Sequence, residues 1–230
     1  MMSDKFQRTK ILLGKENFIK LANATVAIFG IGGVGSFATE ALARSGVGHL
    51  ILIDKDNIDE TNINRQIHAL TSTIGKSKVE VMRERILQIN PAAKVDTVQK
   101  FYLPDENAES FFICKYDYVV DAIDTVTAKI NLAVECERRK IKIISSMGAG
   151  NKLDPTRFKI TDIYKTTTDP VAKVMRKKLK ELGIKSLKVV FSDEIPRKVD
   201  GFIGSTAFVP SVAGLIIAAE VVKDLVGGFE

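Results

Sequence analysis

The chain has 230 residues, with 34 basic and 28 acidic side chains, a formal charge of +6 and a sequence pI of about 9.2. It is 45% hydrophobic and 27% charged, the balance of an ordinary soluble protein that can bury a sizeable core in one large domain spanning residues 1–230. No apolar run is long enough to span a bilayer, the start MMSDKFQRTK is too polar for a signal peptide, and Cys114 and Cys136 offer no disulfide framework, so a cytoplasmic protein without a membrane partner is expected.

In chain order, residues 26–29 (VAIF) read as a buried parallel strand, followed at once by Gly30, Gly32, Gly33 and Gly35. Lacking a Cβ, such a turn lets backbone amides come close to a phosphate, and the helix SFATEALARSG after it begins with free N–H groups that favour an anion. Residues 49–53 form the next strand. It ends at Asp54, roughly 20 residues past the glycines, where a nucleotide-binding fold expects a carboxylate on the ribose hydroxyls. A helix over 76–90 is stopped by Pro91, and strands are expected over 94–101 and 116–123. A helix over 125–140 and a strand over 141–145 come next. Residues 157–163 switch to polar–apolar alternation, the mark of an antiparallel or edge strand, and 187–191 form a further strand. The stretch 192–205, with Pro196, Gly201 and Gly204, is either a connection over the site or a plain surface loop. A buried C-terminal helix is expected to start at Pro210 and end at Gly227 and Gly228. The alternation predicts an α/β fold: a Rossmann-like, mostly parallel sheet with helices on both faces and an antiparallel extension toward the C-terminus.

The residues beyond Asp54 separate this chain from a plain dinucleotide fold. They include Asp56, then TNINRQ with the polar Asn62, Asn64, Arg65 and Gln66, then Lys78 in GKSK and Asp124 in VVDAIDT. Arg65 and Lys78 can offset charge on phosphate oxygens during a displacement. Asp124 comes after a strand, at the carboxyl edge of the sheet, where a carboxylate suits Mg²⁺ held jointly with phosphates. Taken singly, Lys78 reads as a solvated helix lysine and Arg65 as a partner for Asp56 or Asp59; together they point to a shared ATP role.

At these residues the chain resembles the ATP-binding core of the ubiquitin-activating superfamily (the ThiF/MoeB type), which adenylates carboxylates: GIGGVGS, LIDKDNIDETNINRQ, GKSKVEVM and DAIDT carry the likeness. Within it the chain looks most like the tRNA threonylcarbamoyladenosine dehydratases, through RTKILLG, EALARSGVG, NRQIHAL, ERILQINP, SSMGAG, DPTRFKITDIYKT and DPVAKVMRKKLK. The resemblance covers nearly the whole chain. It implies activation of the threonine carboxylate of a modified adenosine in tRNA, closure of that side chain into a ring and release of AMP. By the same resemblance Gly30, Gly32, Gly33 and Gly35 form the phosphate turn, Asp54 meets the ribose, Asn62, Arg65 and Lys78 contact the triphosphate, and Asp124 is the metal-linked acid. Arg8 matches an arginine that the superfamily often sends into a partner's site, which implies a homodimer; alone it reads as a solvated tail residue. ATP and Mg²⁺ are the implied cofactors, with a monovalent cation left open.

Many relatives carry a paired CxxC zinc site and a loop cysteine that accepts the acyl group; this chain has neither. Cys114 and Cys136 both read as small buried apolar residues, so direct attack on an acyl-adenylate fits better than a thioester. His49 and His68 read as packing or local hydrogen-bonding residues, with a phosphate contact open for His68.

Residues 170–188 hold seven basic side chains against Glu181 alone, which accounts for the whole net charge. This lies in a basic insert at about 165–205. Val171, Val174, Met175, Leu179 and Leu182 recur at helical spacing, so one face is expected to pack while Lys173, Arg176, Lys177, Lys178 and Lys180 face outward. Composition alone allows a solvated lysine face; with the resemblance, the segment is expected to hold tRNA phosphates. Two rival functions remain: an adenylyltransferase for the C-terminus of a ubiquitin-like sulfur-carrier protein, which would make a carrier or sulfur-transfer protein a partner, and a nicotinamide-binding oxidoreductase.

Overall fold

In the computed structural model, residues 4–103, 108–199, 201 and 203–229 are described. Two short N-terminal helices, α1 (Gln7–Leu13) and α2 (Lys15–Asn23), precede β1 (Thr25–Phe29), whose β-branched and aromatic residues suit a strand buried on both faces. Then come α3 (Gly35–Ser45), β2 (His49–Ile53), α4 (Lys78–Ile89), β3 (Lys94–Val98), β4 (Tyr118–Asp121), α5 (Val126–Arg139) and β5 (Lys142–Ser146). The chain closes with β6 (Phe158–Asp162), α6 (Pro170–Glu181), β7 (Lys188–Ser192) and α7 (Phe208–Val226).

The strands form one seven-stranded sheet in the order β3-β2-β1-β4-β5-β7-β6. Every pairing is parallel except β6 with β7, so the edge strand expected from FKITDI is indeed antiparallel. Successive residues of β1 alternate between two cores. Val26 and Ile28 pack with α3, α4 and α7, whereas Ala27 and Phe29 pack with α5, Tyr102 and Phe111. A third cluster joins α5, α6 and β7 through Ala133, Met175, Leu179 and Val189. Helices therefore cover both faces, as a parallel sheet requires.

The C-terminal helix reaches closer to the site than the sequence indicates. It begins at Phe208, so Pro210 lies inside its first turn, where the missing N–H has no helical partner to lose. Gly214 lets α7 lie directly on α3: a Cβ there would stand 2.3 Å from the Val34 carbonyl oxygen. β1 sits where the strand order reverses, with β2 and β3 on one side and β4 onward on the other. Ligands of open α/β sheets bind at the carboxyl ends of the strands at such a point.

Three local expectations are corrected. The strand expected over 94–101 ends at Val98, because Lys100 and Phe101 turn off the sheet edge to line a cavity. Cys114 is exposed, on the turn ahead of β4, whereas Cys136 is buried in α5 as expected. In α6 the packed face is Ala172, Met175 and Leu179; Val174 and Leu182 point to solvent, because the helix docks along a single i, i+3, i+7 line. The connection over 192–205 passes through positions 200 and 202, which lie outside the described residues.

Candidate active site

The carboxyl ends of β1, β2 and β4 open into a cavity of about 550 Å³. It is lined by Gly30, Gly32, Gly33, Asp54, Asp56, Asn62, Arg65, Lys78 and Asp124, so the residues singled out from the ATP motifs, Gly35 apart, meet in one place.

The glycine turn is built by close contact rather than by looseness. Gly30 has φ +90°, and a Cβ on it would lie 2.5 Å from the Ala122 carbonyl oxygen. A Cβ on Gly35 would fall 1.8 Å from the Gly30 oxygen, so this residue is spent on closing the turn and does not line the cavity. Gly32 differs: its nearest neighbour would be Gln66 Nε2 at 4.0 Å, which leaves its face open to a ligand. The intervening Ile31 is pinned at both ends. Its N–H donates to Asp54 Oδ2 at 2.7 Å, and its carbonyl accepts from His68 Nε2 at 2.7 Å. Asp54 also accepts the Asp56 N–H at 2.9 Å through Oδ1. The carboxylate expected on the ribose therefore braces the phosphate turn as well.

His68 holds the turn and does not line the cavity, which favours the local hydrogen-bonding reading over a phosphate contact. Burial lowers its pKa from the ordinary imidazole value, against the opposing pull of the Ile31 bond. With Nε2–H donating, Nδ1 is the unprotonated nitrogen, and it is buried without a partner.

Lys78 opens α4 and is buried, its Nζ 2.9 Å from Asp56 Oδ2. It is not the solvated lysine that its sequence position alone allows, and two of its three protons remain for phosphate oxygens. Arg65 pairs with neither Asp56 nor Asp59. It donates from Nη1 to the Thr61 carbonyl at 2.9 Å and to Asn64 Oδ1 at 2.8 Å, which aims it along the cavity wall. Asn62 is buried, and its Oδ1 accepts the Asp59 N–H in a capping box, so it shapes the wall that carries Arg65. Asp124 is exposed at the cavity mouth, and its Oδ1 accepts from Thr125 Oγ1 at 3.3 Å. Among the described residues no three His, Cys, Asp or Glu side chains cluster. A lone exposed carboxylate such as Asp124 could hold Mg²⁺ only jointly with phosphates and water.

The far end of the cavity is apolar, made of Phe29, Ile53, Phe101 and Tyr102, with Lys55 Nζ 4.4 Å above the Phe101 ring; such a slot suits a purine. On the β5 side of β4 the lining continues with Met147, Gly148 and Gly150, joined by Val171, Ile203 and Ser205. Asn64 Nδ2 donates to the Ser205 carbonyl at 3.1 Å, so the described part of the 192–205 connection does border the cavity.

Sequence reasoning missed two contributors, the Lys129–Asp121 pair and Pro210. Lys129, 1% exposed, pairs with the fully buried Asp121 at 3.0 Å beneath Asp124. Its Nζ also donates to the Ile123 carbonyl at 3.1 Å, while Asp121 Oδ1 accepts the Ile123 N–H at 3.2 Å. The turn that presents Asp124 is thus gripped from both sides by one buried ion pair. The signal was available: Lys129 stands at i with Leu132, Ala133 and Cys136 at i+3, i+4 and i+7, on the apolar face of α5. Pro210 closes over Gly33, and Gln66, one of the polar groups noted beyond Asp54, borders the cavity with a buried Oε1 that has no partner among the described residues.

Arg8 lies outside the cavity, on an exposed turn of α1. Of the five cations expected on the tRNA face, Lys173, Lys177 and Lys180 form an exposed stripe at i, i+4 and i+7. Arg176 is half-buried and bonded to Thr166, and Lys178 pairs with Glu181 at 3.0 Å. Neither cysteine lines the cavity. Burial raises the Cys136 thiol pKa well above its usual range.

The ThiF family pattern matches residues 6–229. The chain belongs to the ThiF family. It is 51% identical over 248 aligned positions to a tRNA threonylcarbamoyladenosine dehydratase from Bacillus subtilis, covering 100% of this chain and 97% of that protein. The crystal structure of the Escherichia coli tRNA N6-threonylcarbamoyladenosine dehydratase, TcdA, in complex with ATP superposes with a TM-score of 0.92 at 39% identity, covering 99% of this chain and 97% of that one. The complex of the same E. coli enzyme with AMP gives a TM-score of 0.91 at 38% identity, with the same coverage.

Proposed function

We propose that the chain is a tRNA threonylcarbamoyladenosine dehydratase, which adenylates the carboxylate of N6-threonylcarbamoyladenosine with ATP and closes its side chain into a ring with release of AMP. One observation carries this reading: the glycine turn, Arg65, Lys78 and Asp124 meet in one cavity at the switch point of a chain that matches a dehydratase from end to end. The match also extends through β6 and α6, beyond the ATP core that a sulfur-carrier adenylyltransferase would share, which favours the tRNA substrate.

The substrate carboxylate attacks the α-phosphate of ATP, a new P–O bond forms and pyrophosphate leaves. Arg65 and Lys78 offset the charge that shifts onto the phosphate oxygens, and the open face of Gly32 leaves room for those oxygens to approach the main chain. Asp124 would be the carboxylate that holds Mg²⁺ together with the phosphates, and the ion would supply further charge neutralisation there. A nucleophile on the same side chain then attacks the acyl carbon and AMP departs. That step is intramolecular, with an effective molarity on the order of 10⁵ M or more, so placement does most of the work and no acceptor cysteine is needed.

Residues 1–230 act as one ATP-binding unit, and the segment 165–205 serves the RNA. The Lys173, Lys177 and Lys180 stripe holds phosphates without reading bases. A second copy of the chain completes the site: α1 buries none of its residues and exposes Ile11 (75%) and Leu12 (85%) beside Arg8, a face suited to a partner subunit whose cavity Arg8 enters. No helix among the described residues is long and apolar enough to cross a membrane; the tRNA substrate is what assigns the proposed activity to the cytoplasm.

Incubation with ATP, Mg²⁺ and modified tRNA, followed by nucleoside mass spectrometry, tests the reading. The modified adenosine loses about one water and AMP accumulates. Arg65→Ala slows this by roughly 10²- to 10³-fold without lowering the melting temperature. Changing Lys173, Lys177 and Lys180 together to Glu weakens tRNA binding and flattens its salt dependence. Absence of AMP with every tRNA tried would refute the proposal.

A further inference from the structure

Lys152 and Asp169 lie outside the ATP motifs, yet their side chains are 1% and 0% exposed and form an ion pair at 2.9 Å. Lys152 Nζ also donates to the Gly148 carbonyl at 2.7 Å and to the Ser192 carbonyl at 3.4 Å. The other oxygen of Asp169 accepts the Ala172 N–H at 2.9 Å, so the same carboxylate is the N-cap of α6. Gly148 is packed against it: a Cβ there would sit 3.0 Å from Asp169 Oδ2. Gly148, which follows β5, and Val171, two residues past Asp169, both line the cavity that the ATP motifs share, forming its acceptor wall in the reading above.

The charges are not explained by stability. A buried ion pair gains little over an apolar pair of the same size, because desolvation of both ions offsets their attraction. Nor does the cap need a charge, since Asn, Ser or Thr caps a helix as well as Asp. What the pair does accomplish is geometric. It ties the cavity wall at Gly148 to the first turn of α6, and Lys173, first of the exposed stripe, stands only four residues past the cap.

We propose that Lys152 and Asp169 are positioning residues that lock the acceptor wall of the cavity to the RNA-holding helix, so that a phosphate backbone held on the stripe presents its base at a set depth. This rests on the dehydratase reading above. The pair touches neither nucleotide nor RNA; it acts through Gly148 and through the start of α6.

The test uses the full chain with Lys152→Met, Asp169→Asn and the double variant. Asn keeps an oxygen on the Ala172 N–H, so Asp169→Asn retains the cap while removing the charge and the acceptor that faces Lys152. Each single variant leaves a lone buried charge and melts earlier; the double variant has none and melts close to the parent. In the double variant, ATP affinity and filter-binding affinity for modified tRNA stay within about twofold of the parent. Single-turnover ring closure at saturation nevertheless falls by about 100-fold, the effect of misplacing a reacting group by an ångström. Amide hydrogen exchange supplies a readout independent of the chemistry: tRNA slows exchange at residues 148–150 in the parent and not in the double variant. Recovery of the rate together with the melting temperature would overturn the proposal, as would equal protection at 148–150 in both proteins. A parent that protects 148–150 on binding tRNA but releases no AMP would refute the dehydratase reading and leave the coupling standing.

Discussion

The two walls of the cavity are held in different ways. The nucleotide wall is made by the main chain: glycines pressed against carbonyls, and Ile31 pinned between Asp54 and His68. The acceptor wall and the turn bearing Asp124 are held by buried ions, Lys152 with Asp169 and Lys129 with Asp121. A main-chain cradle is specified by a short run of sequence and tolerates no side chain at its contact points. An ionic clamp is specified by residues far apart and tolerates the loss of both partners better than the loss of one.

The largest effects test the cradle. Gly35→Ala puts a methyl group 1.8 Å from the Gly30 oxygen, and nothing there can move without unmaking the turn. It is expected to destabilise by more than about 4 kcal/mol and to yield little folded protein. Gly32→Ala meets nothing nearer than 4.0 Å, so its unfolding midpoint stays within about 1 kcal/mol of the parent. Its cost appears instead in calorimetric ATP affinity, reduced at least tenfold in round terms because the methyl occupies the approach of the phosphate. Normal ATP binding by Gly32→Ala would mean that this glycine, too, serves only the backbone.

Next in size is the clamp beneath Asp124. Lys129→Met strands the fully buried Asp121 without its cation and should cost about 3–5 kcal/mol in urea unfolding. Adding Asp121→Asn should return most of that loss. If Lys129→Met were instead stable but deficient in ATP binding, Lys129 would belong with Arg65 and Lys78 as a phosphate contact, and the division between the two walls would blur.

This division also explains what could be read before folding. The parallel sheet, its antiparallel edge strand and the cluster of Gly30, Asp54, Arg65, Lys78 and Asp124 were legible, because each belongs to a strand, a turn or a helix start with its own local signature. Lys152 and Asp169 are 17 residues apart, and neither has a local signal of burial beyond the helix-starting Asp169-Pro170. Their meeting depends on β7 entering the sheet between β5 and β6, which no periodicity reports. Cys114 and the outward-facing Val174 and Leu182 failed for the opposite reason: residue type suggested burial, and the line along which each segment docks decided otherwise.

The smallest expected effect concerns His68, a side chain serving the main-chain wall. Burial lowers its folded-state pKa below the unfolded value of about 6.5. The unfolded chain then binds a proton that the folded one refuses. The stability contributed by neutral His68 is complete above about pH 6.5 and is lost as the pH falls toward the folded pKa. Glutamine places an amide N–H where Nε2 stood and does not titrate, so His68→Gln should keep the bond to the Ile31 carbonyl and lose this pH dependence. Melting temperatures from pH 7.5 down to 5.5 should fall more steeply in the parent than in the variant. Equal slopes would mean that His68 takes up its proton in the folded state as readily as in the unfolded chain, and the protonated Nδ1 would then need an acceptor nearby, which none of the described residues supplies.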